Sequence, residues 1–323
     1  MHGMRLHVGQ NAIMQKNLVA GVLILAFLGG CGGGEEVSPA LDQLRASPNL
    51  LVTSMQPDEN WEIFIVGANG SSARQVTAEV GFDLEGTWSP DGSLIAVTSS
   101  RGICIDGPGT CPFELYLLEP NGSVVTKLTD NGFADVEPAW SPDGRRIAFR
   151  SDRTLDVDIF VMEADGSNVT QLTEAPGEDW TPTWSPDGSQ LAFASKRDDS
   201  WDIYVMDSDG SQVRKVTDGP GHHWLPDWSP DGSTLAFASS HQDGNWDIFT
   251  IGVDGTGIRQ ITDDPYIETE PVWSPDGSML AFATKQPSEP YKLKLIDLAS
   301  GSVVDTGFSG FPTDWHGVSG SDG

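Results

Sequence analysis

Acidic residues recur at fixed steps before a repeated tryptophan. The pentapeptide WSPDG begins at Trp88, Trp140, Trp184, Trp228 and Trp273. The fifth residue before each tryptophan is, in order, Asp83, Asp135, Asp179, His223 and Glu268, and the third is Glu85, Glu137, Thr181, Leu225 and Glu270. Because residues two apart on a strand share a face, a ring of such strands would bring these acids together.

Clustered carboxylates are costly unless a cation binds them or water surrounds them. The predicted cation site, at the mouth of a central channel, comprises Asp83, Glu85, Asp135, Glu137, Asp179, Glu268 and Glu270. Oxygen ligands favour calcium over zinc. The alternative is that these side chains bond loop amides or face solvent, as acids on a chain with 47 Asp and Glu often do.

The elements that would position these acids follow from the repeat. The five tryptophans recur about every 44 residues, with one longer interval, and periods of ~40 to 50 residues are typical of propellers. Each unit carries short runs such as LAFAS, DIYVM and VRKVT between Gly, Pro and Asp, which predicts strands. In SPDG, Pro sets the first turn corner, Asp takes the second, and Gly supplies a positive φ.

The two ends of the chain complete the count of blades. Trp315, in FPTDWHG, marks a degraded start of a sixth unit, and residues 49–77 hold a unit without its start. The C-terminal strand should therefore join the N-terminal blade and remove the free sheet edges. The predicted fold is all-β: a six-bladed β-propeller of four-stranded blades over residues 49–317. The repeated tryptophans, Trp88, Trp140, Trp184, Trp228, Trp273 and Trp315, are predicted to be structural wedges.

The repeat PTWSPDGSQLAFASKRDDSWDIYVMDSDGSQVRKVT resembles the TolB-type propeller repeat, and the resemblance covers roughly residues 49–317. It implies the fold and not the function, since such repeats also occur in polysaccharide lyases and in the propellers of prolyl and dipeptidyl peptidases. TolB itself has an additional N-terminal α/β domain. We expect only a tether before the first blade here, and therefore a protein distinct from TolB.

The N-terminal segment predicts export. Residues 14–31, MQKNLVAGVLILAFLGGC, join a lysine to an apolar run that is too short to span a membrane, which is typical of a signal peptide. LGGC resembles the bacterial lipobox, which implies cleavage after Gly30 and lipidation of Cys31. A chance cysteine after an ordinary signal is the alternative. Gly32, in place of Asp, favours the outer membrane.

The predicted organisation is a signal peptide at 1–30, a flexible tether at 31–48, the propeller at 49–317 and a disordered tail at 318–323. Cys104 and Cys111 lie in an insertion of the second unit. In an exported protein they are expected to form a disulfide, with a metal pair as the alternative.

Charge limits the partners. The formal net charge is −29, which disfavours nucleic acid and leaves membrane contact to the lipid anchor. A cationic peptide or an envelope protein suits this surface. The repeat order places long loops on one face of the ring, called the top face, and tight turns on the other. The predicted ligand-binding residues of the top face are Trp180, Trp224, His223, Arg101, Arg153 and Arg197.

No catalytic residue is predicted, because the chain lacks a G-x-S-x-G elbow. The predicted function is a monomeric envelope lipoprotein that binds a protein or peptide through its top face. The alternative is a cation-dependent polysaccharide lyase or hydrolase of the TolB-like propeller type, so catalysis stays open. No cofactor is predicted apart from the calcium considered above.

Replacing Cys31 tests the lipidation prediction. Cys31→Ser should leave the protein without an acyl group and release it from membranes after lysis, because the lipid on Cys31 is the expected membrane anchor. Intact mass and membrane fractionation measure both effects. A wild-type protein without acyl mass, together with a variant that still pellets with membranes, would contradict the prediction.

Overall fold

The computed structural model describes residues 48–67, 72–101, 112–154, 156–198, 200–240 and 245–317, and every regular element within them is a β-strand. The strands form six four-stranded antiparallel sheets. The first two sheets, blades 1 and 2, consist of β1 (Pro48–Met55), β2 (Trp61–Gly67) and β3 (Ala73–Gln75), and of β4 (Asp83–Trp88), β5 (Ile95–Ser99), β6 (Glu114–Leu118) and β7 (Val124–Lys127).

Blades 3 and 4 repeat this arrangement. They consist of β8 (Asp135–Trp140), β9 (Arg146–Ser151), β10 (Asp158–Glu163) and β11 (Thr170–Gln171), and of β12 (Asp179–Trp184), β13 (Gln190–Ser195), β14 (Asp202–Asp207) and β15 (Arg214–Lys215). In these two blades the fourth strand has two residues, and its side chains are mostly exposed.

Blades 5 and 6 lead to the closing strand. They consist of β16 (His223–Trp228), β17 (Thr234–Ser240), β18 (Trp246–Gly252) and β19 (Arg259–Gln260), and of β20 (Ile267–Trp273), β21 (Met279–Lys285), β22 (Lys292–Asp297) and β23 (Val303–Ser309). The last strand, β24 (Phe311–Gly317), pairs with β1 in blade 1, for example Trp315 with Leu50. The predicted six blades and the predicted closure are confirmed.

The first strand of each blade lines the inside of the ring. β4, β8, β12, β16, β20 and β24 each contact the next in a closed cycle. Trp88 packs between Ile63 of blade 1 and Ile95 of blade 2 in one buried cluster, and Trp315 packs against Val272 and Met279 of blade 6. The repeated tryptophans therefore lie between neighbouring blades.

The SPDG turn has the predicted chemistry. Gly92 has φ of 69° and donates its N–H to the Ser89 carbonyl at 2.8 Å. The Asp91 carboxylate accepts from the Ser89 hydroxyl at 2.7 Å and from the Ser93 amide at 3.0 Å. The Ser89 hydrogen bond, followed by those of Ser93, lowers the pKa of Asp91 to about 2. A positive φ is why glycine ends each turn.

Several predictions from the sequence concern residues outside the described ranges. These are the signal segment 1–30, the tether residues 31–47, Cys31, Cys104, Cys111 and the tail 318–323. Within the described ranges, no helix is long and apolar enough to cross a membrane.

Candidate functional site

A bulge in the first strand decides where the acidic residues point. The third residue before the tryptophan has a positive φ in five blades: 54° at Glu85, 56° at Glu137, 50° at Thr181, 58° at Leu225 and 54° at Glu270. The pairing register shifts at the same place in each of these strands. A bulge turns a side chain away from simple alternation. The expectation that the fifth and third positions share a face is therefore wrong.

At the fifth position, the acids of blades 2 to 4 pair with an arginine of the same blade. Arg101 Nη2 lies 2.8 Å from Asp83 Oδ2, and Arg101 Nε donates to the Ser99 hydroxyl at 2.9 Å. The equivalent pairs are Arg153 with Asp135 at 2.7 Å and Arg197 with Asp179 at 3.3 Å. We call these three pairs the arginine clips.

The clips change the interpretation of six predicted site residues. The three aspartates are at most 1% exposed and the arginine side chains 11–19%. Their charges neutralise one another within the blade. The aspartates are therefore not free to line the channel as cation ligands, and the arginines are not free cations of the top face.

Blades 5 and 6 lack the clip among their described residues. In blade 5 the fifth position is His223, which is buried, with its Nε2 3.9 Å from Asp202 Oδ1. Burial lowers the pKa of His223, so the ring is neutral and not part of an exposed ligand surface. In blade 6 it is Glu268, and the residue that matches the clip arginines is Gln286.

Glu268 is a buried acid without a neutralising arginine. The side chain is fully buried, and within the described ranges neither carboxylate oxygen has a hydrogen-bond partner of normal geometry. Burial raises the pKa of Glu268 to about 7; Asp264 and Asp247 raise it further, while the nearby Thr262 hydroxyl and Lys294 offset part of the effect. The carboxyl therefore holds a proton at neutral pH more readily than an exposed glutamate does.

At the third position, Glu85, Glu137 and Glu270 form a second set, the channel glutamates. Glu85 Oε2 accepts from the Thr98 hydroxyl and from the Glu137 amide, each at 3.0 Å. Glu137 Oε2 accepts from the Thr181 amide at 2.7 Å. The Glu85 and Glu137 carboxylates thus each accept a hydrogen bond from the bulge amide of the next blade, which fixes them at the inner wall of the ring.

The channel glutamates interact across the ring. Burial, and then the charges of Glu85 and Glu137, raise the pKa of Glu270 to about 8. Burial and then the charge of Glu137 raise the pKa of Glu85 as well. Glu270 belongs to blade 6 and the other two belong to blades 2 and 3, and all three lie on strands of the inner cycle, β20, β4 and β8. Their positions and their mutual charge effects indicate that they border the same central space. Among described residues, Arg150 is the one cation paired with this set, with its Nε 3.4 Å from Glu137 Oε2.

Two further carboxylates contact the backbone of the repeated tryptophans. Asp314 Oδ2 accepts from the Trp88 amide at 2.7 Å, and Asp227 Oδ2 accepts from the Trp273 amide at 2.8 Å. Burial raises the pKa of Asp227 to about 7, with a contribution from Asp314. Each aspartate joins two neighbouring blades, so we assign this pair to the framework of the ring.

Aromatic side chains lie above the channel glutamates in two groups. The larger group runs across blades 4 and 5: Trp180 to Trp201 at 4.8 Å, Trp201 to Trp224 at 5.4 Å and Trp224 to Trp246 at 5.1 Å between centroids. Trp180 is buried, whereas Trp224 is half-buried. The smaller group spans blades 1 and 6: Trp61 to Phe311 at 5.7 Å and Tyr291 to Phe311 at 4.3 Å.

Sequence reasoning identified Trp180 and Trp224 and missed the other members of these two groups. The signal was present: an aromatic residue recurs at the start of the third strand of a blade. Trp61 and Trp246 are the first residues of β2 and β18, and Trp201 and Tyr291 come directly before β14 and β22. Their contacts with the first strand of the same or the next blade place them at the rim. The rim therefore combines aromatic faces with carboxylates below them.

Within the described ranges, the residues of the predicted calcium site do not form a ready-made set of metal ligands. No three or more His, Cys, Asp or Glu residues within the described ranges are arranged to hold a metal ion. The seven predicted ligands instead divide into the clipped aspartates, the buried Glu268 and the channel glutamates. Calcium binding stays a prediction.

Comparison with known proteins gives partial matches in sequence. Residues 158–260 match the Tricorn protease N-terminal beta propeller domain, and residues 214–313 match the TolB beta propeller domain. A TolB homolog of Chlorobium luteolum is 29% identical over 127 residues, 28% of this chain and 29% of the homolog. A TolB homolog of Chlorobium chlorochromatii is 34% identical over 86 residues, 27% of this chain and 17% of the homolog. The chain thus spans less than a third of the length of these relatives.

Solved structures match over most of the chain. TolB from Acinetobacter baumannii aligns with a TM-score of 0.70 and 20% identity, over 83% of this chain and 66% of that one. A putative TolB from Agrobacterium tumefaciens gives 0.66 and 24%, over 83% and 91%. An oligogalacturonate lyase in complex with manganese gives 0.57 and 17%, over 81% and 74%. At these identities the likeness concerns the fold alone.

The buried Glu268 predicts a pH-dependent effect on stability. Between pH 4.5 and about 7 the folded protein holds a proton on Glu268 that the unfolded chain releases, so this group lowers stability as the pH rises. Glu268→Gln should therefore stabilise the protein at pH 8 relative to wild type, by roughly 3 kcal/mol or less, and have no such benefit at pH 4.5.

Denaturant unfolding at several pH values measures this difference. Glu174→Gln, at an exposed residue, is the matched control, and it should lack the gain in stability at pH 8 that is expected of Glu268→Gln. A Glu268→Gln difference that is equally flat with pH would contradict the assignment of a raised pKa.

Proposed function

We propose that this TolB-like six-bladed β-propeller is a binding scaffold of the cell envelope that takes a cationic segment of a protein or peptide at the top of its central channel. The observation that carries the proposal is the imbalance of charge there. Glu85, Glu137 and Glu270 face one space, and among the described residues only Arg150 neutralises them. A ligand cation would supply the missing positive charge.

The energetics favour such a ligand. The raised pKa of Glu270 reports that its ionised form is costly, first because of its burial and then because Glu85 and Glu137 repel it. A lysine or arginine side chain placed between the carboxylates removes that cost and forms charge-assisted hydrogen bonds. The half-buried rim aromatics, such as Trp224 and Trp246, offer faces for the aliphatic stems of those side chains.

The envelope location is a part of the proposal supported by the sequence. Residues 14–31 have the pattern of an export signal, and Cys31 stands at the lipidation position of a lipobox. A lipid anchor and the tether would hold the propeller near a membrane while leaving the top face open to a partner. The acidic surface would speed encounters with cationic partners.

A second candidate is a cation-dependent polysaccharide lyase or hydrolase, and one observation favours it. The fold is like that of an oligogalacturonate lyase in complex with manganese, at a TM-score of 0.57. The charge of the channel makes this the weaker candidate. An anionic polysaccharide would meet three carboxylates, and it would need a cation for which the described residues offer no preformed group.

Peptide binding tests the first proposal. A peptide of four Lys-Ala repeats should bind the wild-type protein at low salt, and one of four Glu-Ala repeats should not. The double variant Glu85→Gln, Glu270→Gln should bind the basic peptide at least tenfold more weakly, or roughly 1.4 kcal/mol. Affinity should rise from pH 6 to pH 9 as Glu270, with its pKa of about 8, loses its proton.

Calorimetry and tryptophan fluorescence provide the two readouts. The control double variant, Glu119→Gln, Glu174→Gln, removes two exposed charges elsewhere and should bind within about twofold of wild type. Equal losses in both double variants would indicate general surface attraction and contradict a channel site. So would the absence of binding by the wild-type protein.

A further inference from the structure

Blade 3 already contains a cation in a carboxylate-aromatic setting. Arg150, on β9, has its Nε 3.4 Å from Glu137 Oε2. Its guanidinium carbon lies 4.4 Å from the ring centroid of Trp180, the rim residue of blade 4. The guanidinium is therefore held by a channel glutamate of its own blade and by an aromatic ring of the next. This shows which chemical group fits such a setting in this protein.

Blade 6 has the same glutamate as blade 3 at the equivalent position but a different residue in place of the arginine. In β8 and β9, Val136 pairs with Arg150; in β20 and β21, Thr269 pairs with Ala283 in the equivalent register. Glu270 follows Thr269 as Glu137 follows Val136, with the same bulge. Blade 6 thus keeps the glutamate and has an alanine where blade 3 has the arginine.

An aromatic ring equivalent to that of Trp180 is also present next to blade 6. Phe311, four residues before Trp315, occupies in blade 1 the position that Trp180 occupies in blade 4. Relative to Glu270, Phe311 therefore stands at the repeat position that Trp180 holds relative to Glu137, on the first strand of the next blade.

Tyr291 of blade 6 packs against Phe311 at 4.3 Å between centroids. Tyr291 is buried and has Lys285 Nζ 5.3 Å from its ring centroid, whereas Phe311 is half-buried, so Phe311 is the ring on which a ligand could stack. Burial and then the charge of Glu270 raise the pKa of Tyr291, in agreement with this placement of Phe311.

Glu270 has no cation of its own in the described part of the chain. The groups that act on it are its burial and the two other channel glutamates, all of which disfavour its charge. The Arg150 guanidinium is engaged with Glu137 and Trp180 on another part of the ring. The Glu270 side chain is half-buried, so a ligand can reach this carboxylate from the channel.

We infer that Glu270, with the ring of Phe311, forms a subsite for the guanidinium group of an arginine side chain in the bound segment. The inference deepens the proposed function and depends on it. A guanidinium suits the subsite better than an ammonium, because it is planar, stacks on aromatic rings and forms paired hydrogen bonds with a carboxylate. The bound arginine would do in blade 6 what Arg150 does in blade 3.

Three matched peptides test the subsite. They have the sequence Ala-Ala-X-Ala-Ala with blocked ends, where X is arginine, its neutral isostere citrulline, or lysine. The wild-type protein should bind the arginine peptide at least tenfold more tightly than the citrulline peptide and more tightly than the lysine peptide. Glu270→Gln should remove the preference for arginine over citrulline, while Glu174→Gln should retain it.

A second variant places an arginine of the protein itself in the subsite. Ala283→Arg gives blade 6 the arginine of blade 3, and it should also abolish the arginine preference. If that variant does not fold, as circular dichroism and thermal unfolding would show, Phe311→Leu serves instead and should reduce the preference for arginine over lysine.

The outcomes separate this inference from the proposed function. Binding of the Lys-Ala peptide that depends on Glu85 and Glu270, with equal affinity for arginine and citrulline, would overturn the subsite and leave the channel proposal standing. An arginine preference that persists in Glu270→Gln would also overturn the subsite. If no basic peptide binds the wild-type protein, both the subsite and the proposed channel function are contradicted.

Discussion

A left-handed residue in the first strand of five of the six blades determines how charge is distributed in this propeller. A non-glycine residue with positive φ costs on the order of 1–3 kcal/mol, yet it occurs at the same step in five blades. In blades 3 and 4 the bulge amide bonds the glutamate of the preceding blade. The conformation thus joins neighbouring blades and turns the glutamates toward the axis.

That one conformation produces two environments for acids only two residues apart. Asp83 begins β4 and is neutralised by Arg101 within its blade. Glu85 lies past the bulge, faces the channel and meets other carboxylates there. The clips neutralise charge within blades 2 to 4, and the channel carries the excess negative charge. The stable part of the molecule and the part that can respond to a ligand are therefore built from neighbouring residues.

The sequence was sufficient for the fold because its signals were local and repeated. The SPDG turn, its glycine and the spacing of the tryptophans predict six four-stranded blades, and Trp315 predicts the closure with β1. The site was less accessible to sequence reasoning. Strand alternation fails at a bulge, and nothing in a glutamate indicates a left-handed conformation. The regular separation of Asp83 from Arg101, repeated in two further blades, was a signal for the clips.

Direct titration of Glu270 tests the central claim that the channel lacks positive charge. Carboxyl carbon resonances of the wild-type protein, assigned with Glu270→Gln, give the pKa of this side chain. The account predicts a pKa of about 8, against an ordinary value of 4.5, and a fall toward the ordinary value when a basic peptide binds. A midpoint near 4.5 in the free protein would contradict it.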